Sequence, residues 1–235
     1  MRSYTWFLFD LDGTLLDFHR AEVLALQQAT NETGIELTDE AASLYAKIND
    51  ALWAEFEHGA ITARDIRNAR FVQWLDALEV DQDPTALSER FLELLVEHST
   101  YIEGAEALLH ALLGNVQMAL ITNGFADVQR GRVARFGLDR WFDPILISEE
   151  LGASKPNREI FDIAFERMGH PEKAEVLILG DSMSSDIRGG VNYGIDTCWF
   201  NPASHTNDTG LIPTYEIRHL HEIRSLASAG RSRDE

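Results

Sequence analysis

The segment Asp10-Leu11-Asp12-Gly13-Thr14 follows directly on the apolar run Trp6-Phe7-Leu8-Phe9. A strand period of two puts carboxylates one residue apart on the same side of the chain. Two unit charges about 4 Å apart repel by about 4 kcal/mol at an effective dielectric near 20. A fold tolerates that at the end of a buried strand when a cation or a shared proton relieves it. Gly13 lets the backbone turn tightly, and Thr14 offers a hydroxyl and an N–H. The same five residues also suit an Asx turn. They do not form a calcium loop, because the further acidic and Glu positions of that pattern are absent.

Three later segments weight the reading toward chemistry. Val116 to Ile121 is a second apolar run and ends in Thr122-Asn123-Gly124. Ser154-Lys155-Pro156 precedes a helical pattern starting at Asn157. Val176-Leu177-Ile178-Leu179 ends in Gly180-Asp181, with Asp186 shortly after. Each apolar strand thus delivers an acid or a hydroxyl at its C-terminal end, the edge where open α/β sheets bind ligands. The four segments, in this order, resemble the signature motifs of the haloacid dehalogenase-like phosphohydrolases.

That resemblance, with the demands of phosphoryl transfer, assigns expected roles. Asp10 is expected to be the nucleophile that forms an aspartyl-phosphate. Asp12 is expected to protonate the leaving oxygen and then activate water. Thr122 sits ahead of a helix start, where a hydroxyl and free N–H groups cradle phosphate. Lys155 supplies a cation just before a helix whose first position Pro156 is expected to take. Gly13, Thr14, Asn123 and Gly124 are expected to line the phosphate. The metal set is Asp10, Asp12, Asp181 and Asp186, the resemblance implying that Asp12 contributes its backbone carbonyl. Asp186 is expected to act through water or by orienting Lys155. Oxygen ligands with open water positions favour Mg²⁺. Helix capping would explain Asp181 and Asp186 if they stood alone.

The elements that must position these residues alternate. Strand signals recur at Thr5–Phe9, Val116–Thr122, Ile145–Ser148, Val176–Leu179 and Asp196–Phe200, with helical patterns between the later ones. The expectation is an α/β fold, a Rossmann-like parallel sheet with helices on both faces. The stretch from Asp17 to Ser99 breaks the alternation with helix formers at a spacing near 3.6, as in Leu44, Ile48, Leu52 and Phe56. The expected organisation is a core of residues 1–16 and 100–226, an inserted all-helical cap over 17–99, and a disordered tail over 227–235. In the cap, Trp53, Phe56, Phe71 and Trp74 read mostly as core. Arg64, Arg67 and Arg70 read as a solvated face.

Composition excludes several classes of partner. The 235 residues carry 20 Lys+Arg against 39 Asp+Glu, a net charge of −19, which repels nucleic-acid backbones and anionic membranes. The single cysteine, Cys198, forms no internal disulfide and lies in a strand-like run. No apolar stretch approaches the roughly 20 residues that cross a bilayer, and no signal-peptide pattern is visible. A cytoplasmic location is the expectation, as monomer or homodimer.

Leu52-Trp53, Glu57-His58-Gly59-Ala60-Ile61-Thr62 and Arg70-Phe71-Val72-Gln73-Trp74 resemble the cap of bacterial pyrimidine 5′-nucleotidases. The resemblance implies a nucleoside monophosphate substrate such as dUMP, UMP or dTMP. A sugar-phosphate phosphatase or phosphomutase shares the core and differs mainly in the cap. A haloacid dehalogenase needs no second motif carboxylate, so Asp12 argues against it. A non-catalytic module of this fold is expected to have lost a motif residue, and none is missing.

Overall fold

The computed structural model describes residues 3–227. All but the first residue of the tail expected over 227–235 lies outside that range. The chain divides into two compact units. One comprises the residues through Asp17, Thr100–Asn123 and the residues from Val133 onward; the other comprises Phe18–Ser99 and Gly124–Arg132.

The first unit is built on a six-stranded parallel sheet of order β3-β2-β1-β4-β5-β6. Its strands are β1 (Trp6–Phe9), β2 (Gln117–Thr122), β3 (Ile145–Ile147), β4 (Val176–Gly180), β5 (Asp196–Phe200) and β6 (Tyr215–Ile217). The last is a strand the sequence reading did not anticipate. It is three residues long and only its final residue, Ile217, is buried, so it carries almost no apolar signal.

The strand runs are apolar because the sheet is covered on both sides. Phe7, Phe9, Met118, Leu120, Leu177 and Leu179 pack on one face, against Leu108, Leu109 and Leu112 of α5 (Ala105–Leu112). Trp6, Leu8, Ala119, Ile121, Val176 and Ile178 pack on the other, against Ile160, Phe161 and Phe165 of α8 (Arg158–Arg167). The period of two thus assigns alternate residues to two cores. The short α7 (Ser148–Leu151) follows β3, and α9 (Arg188–Tyr193) lies before β5. β1 pairs with β2 on one side and β4 on the other, so the strand order reverses there. Open α/β sheets form their ligand crevice at such a point.

The second unit is helical: α1 (Phe18–Thr33), α2 (Asp39–Glu57), α3 (Ala63–Leu78) and α4 (Pro84–His98). Its ends are explicit in the sequence. Thr38 and Asp83 cap α2 and α4 through their side chains, and Pro84 takes the first turn of α4. Thr62 and Asp65 form a reciprocal capping box on α3. Its core holds Tyr45, Phe71, Trp74 and Phe91, and the indole N–H of buried Trp74 donates to Ala41 O at 2.8 Å. Residues 124–132, read from sequence as part of the sheet core, group instead with these helices. They open α6 (Ala126–Phe136), and Phe125 and Val128 bury in the helical core.

Two expectations are overturned locally. Arg70 is not solvated but 1% exposed among aromatic rings. Its neighbour Arg67 makes a two-pronged ion pair with Asp127, at 2.6 and 2.8 Å. Pro156 does not open α8. It lies in the turn before it, and Asn157 holds the cap position. Among the described residues no helix is long and apolar enough to cross a membrane.

Candidate active site

β1 delivers Asp10 to the sheet edge, where its backbone N–H donates to Leu179 O of β4 at 2.9 Å. The chain then turns back at once, with Leu15 N and Leu16 N both donating to Leu11 O at 2.9 Å. Gly13 has φ +81°, and a Cβ there would lie 2.4 Å from an Asp181 carboxylate oxygen. Glycine is therefore what lets the first loop pass the third acid. Gly180 meets the same demand at β4, where a Cβ would stand 2.2 Å from the Asp186 side chain.

Asp10, Asp181 and Asp186 each place a carboxylate oxygen within 4.8 Å of the others. The Asp12 side chain is not part of that cluster and is half-buried beside it in sequence. The cation at the cluster is Lys155. Its Nζ donates to Asp10 Oδ1 at 2.6 Å, to Asp186 Oδ1 at 2.7 Å and to Ile121 O at 2.9 Å. Lys155 is 1% exposed and Asp10 is 5% exposed. Thr14 donates its hydroxyl to Asp10 Oδ2 at 3.1 Å and reaches Asp181 Oδ1 at 3.3 Å.

The electrostatics do not balance. Burial lifts the Asp10 carboxyl well above the usual carboxylate range. Lys155 opposes that rise, and the charges of Asp186 and Asp181 add to it. Asp181 keeps solvent access, yet protein atoms crowd its carboxyl. Desolvation first, then the charge of Asp186, raises it to about 7. Burial works to discharge Lys155, but Asp10 and Asp186 outweigh it and hold the ammonium above its ordinary value. One ammonium thus serves three carboxylates. Removing ions from water costs several kcal/mol each unless they are compensated. An all-oxygen, acid-rich cluster left short of positive charge fits a hard divalent cation such as Mg²⁺.

The structure also shows what orients these groups. Asn123, expected to face the phosphate, instead clasps Lys155. Its amide donates to Lys155 O at 2.8 Å and accepts from Lys155 N at 2.9 Å. Asp186 Oδ2 accepts from Ser182 N at 3.1 Å, within the π-type turn Met183–Ile187 that Ser182 caps. The Trp199 indole N–H donates to Asp181 O at 2.8 Å, fixing the loop that carries that acid. Ser182 and Trp199 were not foreseen. Position alone marks them, Ser182 next to Asp181 and Trp199 at the C-terminal end of the neighbouring strand. Thr122 closes β2 and is fully buried at the same edge. Gly124 belongs to the helical unit, where its backbone passes the Gln129 side chain.

A parallel sheet that gathers an acid-rich, lysine-bridged cluster at its switch point defines a class of α/β hydrolase. The family model for haloacid dehalogenase-like hydrolases matches residues 4–194, and the chain belongs to that family. It is 39% identical to pyrimidine 5′-nucleotidase YjjG of Escherichia coli, over 95% of this chain and 98% of the relative. It is 35% identical to pyrimidine 5′-nucleotidase PynA of Streptococcus pneumoniae, over 94% and 93%. The crystal structure of the putative hydrolase YfnB from Bacillus subtilis, bound to magnesium and described as revealing interdomain movement, superposes with a TM-score of 0.88. Its identity is 38%, over 96% of this chain and 99% of that one.

Proposed function

We propose that this protein is a Mg²⁺-dependent phosphomonoester hydrolase that works through an aspartyl-phosphate and takes pyrimidine nucleoside monophosphates. The observation that carries the reading is the shared ammonium: one buried Lys155 Nζ bridges Asp10 and Asp186, with Asp181 completing the acid cluster. The names of YjjG and PynA, and the magnesium bound by YfnB, support the substrate and the metal.

The chemistry follows from the residues. An Asp10 oxygen attacks phosphorus, and the bond to the leaving oxygen breaks. Asp12 gives that oxygen its proton, so a neutral alcohol departs. Asp12 then takes a proton from the water that attacks the acyl phosphate, which returns Asp10 and frees inorganic phosphate. Lys155 and the hydroxyls of Thr14 and Thr122 supply the positive end and the donors for phosphate oxygens. Asp10, Asp181 and the Asp12 backbone carbonyl would hold the metal, with Asp186 beside them. When bound, the metal supplies the charge that lets a phosphate dianion sit among carboxylates. A cytoplasmic setting, where monophosphates are abundant, suits the activity.

A panel of monophosphates with and without Mg²⁺ tests the reading. The expected result is that dUMP, UMP or dTMP leads in kcat/KM and that EDTA abolishes turnover. A panel led by hexose phosphates would overturn the nucleotidase assignment and leave the phosphatase standing.

A further inference from the structure

The ammonium of Lys155 has three protons and three partners: Asp10 Oδ1 at 2.6 Å, Asp186 Oδ1 at 2.7 Å and Ile121 O at 2.9 Å. No donor is spare, so the group does its work from one place. A lysine side chain does not fix that place by itself. It is a flexible four-carbon stem that carries about 2 kcal/mol of rotamer entropy. The backbone from which it starts must therefore be held.

That backbone lies in the turn between α7 and α8, outside any helix or strand. Pro156 follows it and has no N–H to donate. One side chain holds the turn at Lys155. Lys155 N donates to Asn123 Oδ1 at 2.9 Å, and Asn123 Nδ2 donates to Lys155 O at 2.8 Å. The amide thus serves both backbone polar groups of a single residue, as paired strand residues do when they exchange N–H···O bonds. Asn123 is anchored in turn. It follows the last residue of β2, and β2 is paired on both sides, Leu120 with Phe9 and Thr122 with Ile147. Ile121, whose carbonyl receives Nζ, belongs to the same strand. β2 therefore grips Lys155 at its root through Asn123 and at its tip through Ile121. A tether that served only the loop could sit anywhere along the turn. This one sits on the residue whose ammonium enters the acid cluster.

We propose that Asn123 is the positioning residue for Lys155: its side chain fixes the root of the lysine so that Nζ stays between Asp10 and Asp186, and turnover depends on it through Lys155. The proposal rests on the phosphohydrolase reading above. Without the clasp the stem samples other rotamers, and Nζ spends less time on the two carboxylates. Phosphoryl transfer then loses its placed cation, whatever alcohol leaves. A misplacement of about 1 Å in such a group costs on the order of 100-fold in rate.

Asn123→Ala removes the clasp and is read in two ways. The first is the Lys155 ammonium itself, followed by NMR in metal-free protein labelled in its lysine side chains. The chain has three lysines, Lys47, Lys155 and Lys173, so exchanging the other two for arginine identifies the signal. The ammonium protons of Lys155, slow to exchange in the wild type, should exchange with solvent about tenfold faster or more in the variant. The second is kcat/KM, which should fall about 10- to 100-fold for dUMP and phenyl phosphate alike. A tether with no such role would lower Tm and leave both readouts in place. Asn123→Ser, whose short hydroxyl does not span both Lys155 groups, should behave as the Ala variant and decides the question if that one does not fold. Unchanged exchange in a variant that has lost activity, a loss confined to dUMP, or full activity with a fast-exchanging ammonium would each overturn the proposal. A wild type that hydrolyses no phosphomonoester would remove the phosphohydrolase reading instead, and the ammonium signal would still decide whether Asn123 holds Lys155.

Discussion

In the sheet unit, burial raises the carboxyls of Asp10 and Asp181, and their neighbours are mostly other carboxylates. In the helical unit, Asp65, Asp127 and Glu32 all lie below their ordinary values. Asp65 is lowered by the Thr62 hydroxyl and N–H, Asp127 by Arg67, and Glu32 by Arg90, to about 2. The contrast belongs to the places rather than the units, because Glu222 in the sheet unit is lowered too, by the N–H groups of His219 and Arg218. Carboxylates that serve stability sit in water beside donors. Carboxylates that crowd against one another in a crevice, with protein atoms displacing part of their water, oppose stability and point to a missing positive charge.

The largest expected effect separates the two groups by activity. Asp10→Asn should fold and lose turnover by a factor on the order of 10⁴ or more, because an amide cannot form the acyl phosphate. Near-normal phosphate release by the folded variant would break the covalent mechanism. Next is Lys155→Met, which leaves Asp10 and Asp186 buried without their shared cation. Removing one partner from a buried charge cluster costs about 3–5 kcal/mol, read from urea unfolding. Adding Asp10→Asn to Lys155→Met should restore part of that loss. A double variant less stable than Lys155→Met would show that Asp10 is not a source of repulsion.

The acid cluster was legible in sequence because each acid follows an apolar run, and a parallel sheet places strand ends side by side. Asp10, Lys155, Asp181 and Asp186 converge as their positions implied. What hid was detail set by packing. Nothing in Asn123 distinguishes a phosphate donor from a clasp on Lys155 until Lys155 is placed 2.8 Å away. Arg70 follows the same i, i+3 spacing as Arg64 and Arg67, so periodicity gave it a solvated face, whereas the rings of Phe91 and Phe125 come from distant parts of the chain. Residues 124–132 continue a strand–helix pattern, and only the burial of Phe125 and Val128 reveals which core they serve.

The metal sharpens the contrast through pH. In metal-free protein, folded Asp181 holds its proton up to about 7, against an ordinary value of 3.8. Its contribution to stability is therefore full below about pH 4 and is lost as pH rises through 7. Melting in EDTA should accordingly show a higher Tm near pH 5 than at pH 8. Mg²⁺ at 100 times its Kd should add about 2.7 kcal/mol and lift the neutral end most. Asp181→Asn should flatten the EDTA curve and reduce the Mg²⁺ effect. An EDTA profile that rises from pH 5 to 8 would contradict the raised carboxyl.

The smallest effect lies in the helical unit and has the opposite sign in pH. Asp127 is lowered by Arg67, so its contribution is present above pH 3.8 and is lost only as pH falls through its folded value. The pair is two-pronged, but the Asp127 side chain is 60% exposed, so solvent screens it. Asp127→Asn should cost no more than about 0.5 kcal/mol at neutral pH, and less in high salt. That cost should stay flat from pH 5 to 8, the window in which the metal-free site changes most, and Mg²⁺ should stabilise the variant as much as the wild type. An Asp127→Asn variant that altered the Mg²⁺ response would mean this exposed acid acts on the buried cluster, and the separation between the two sets of carboxylates would fail.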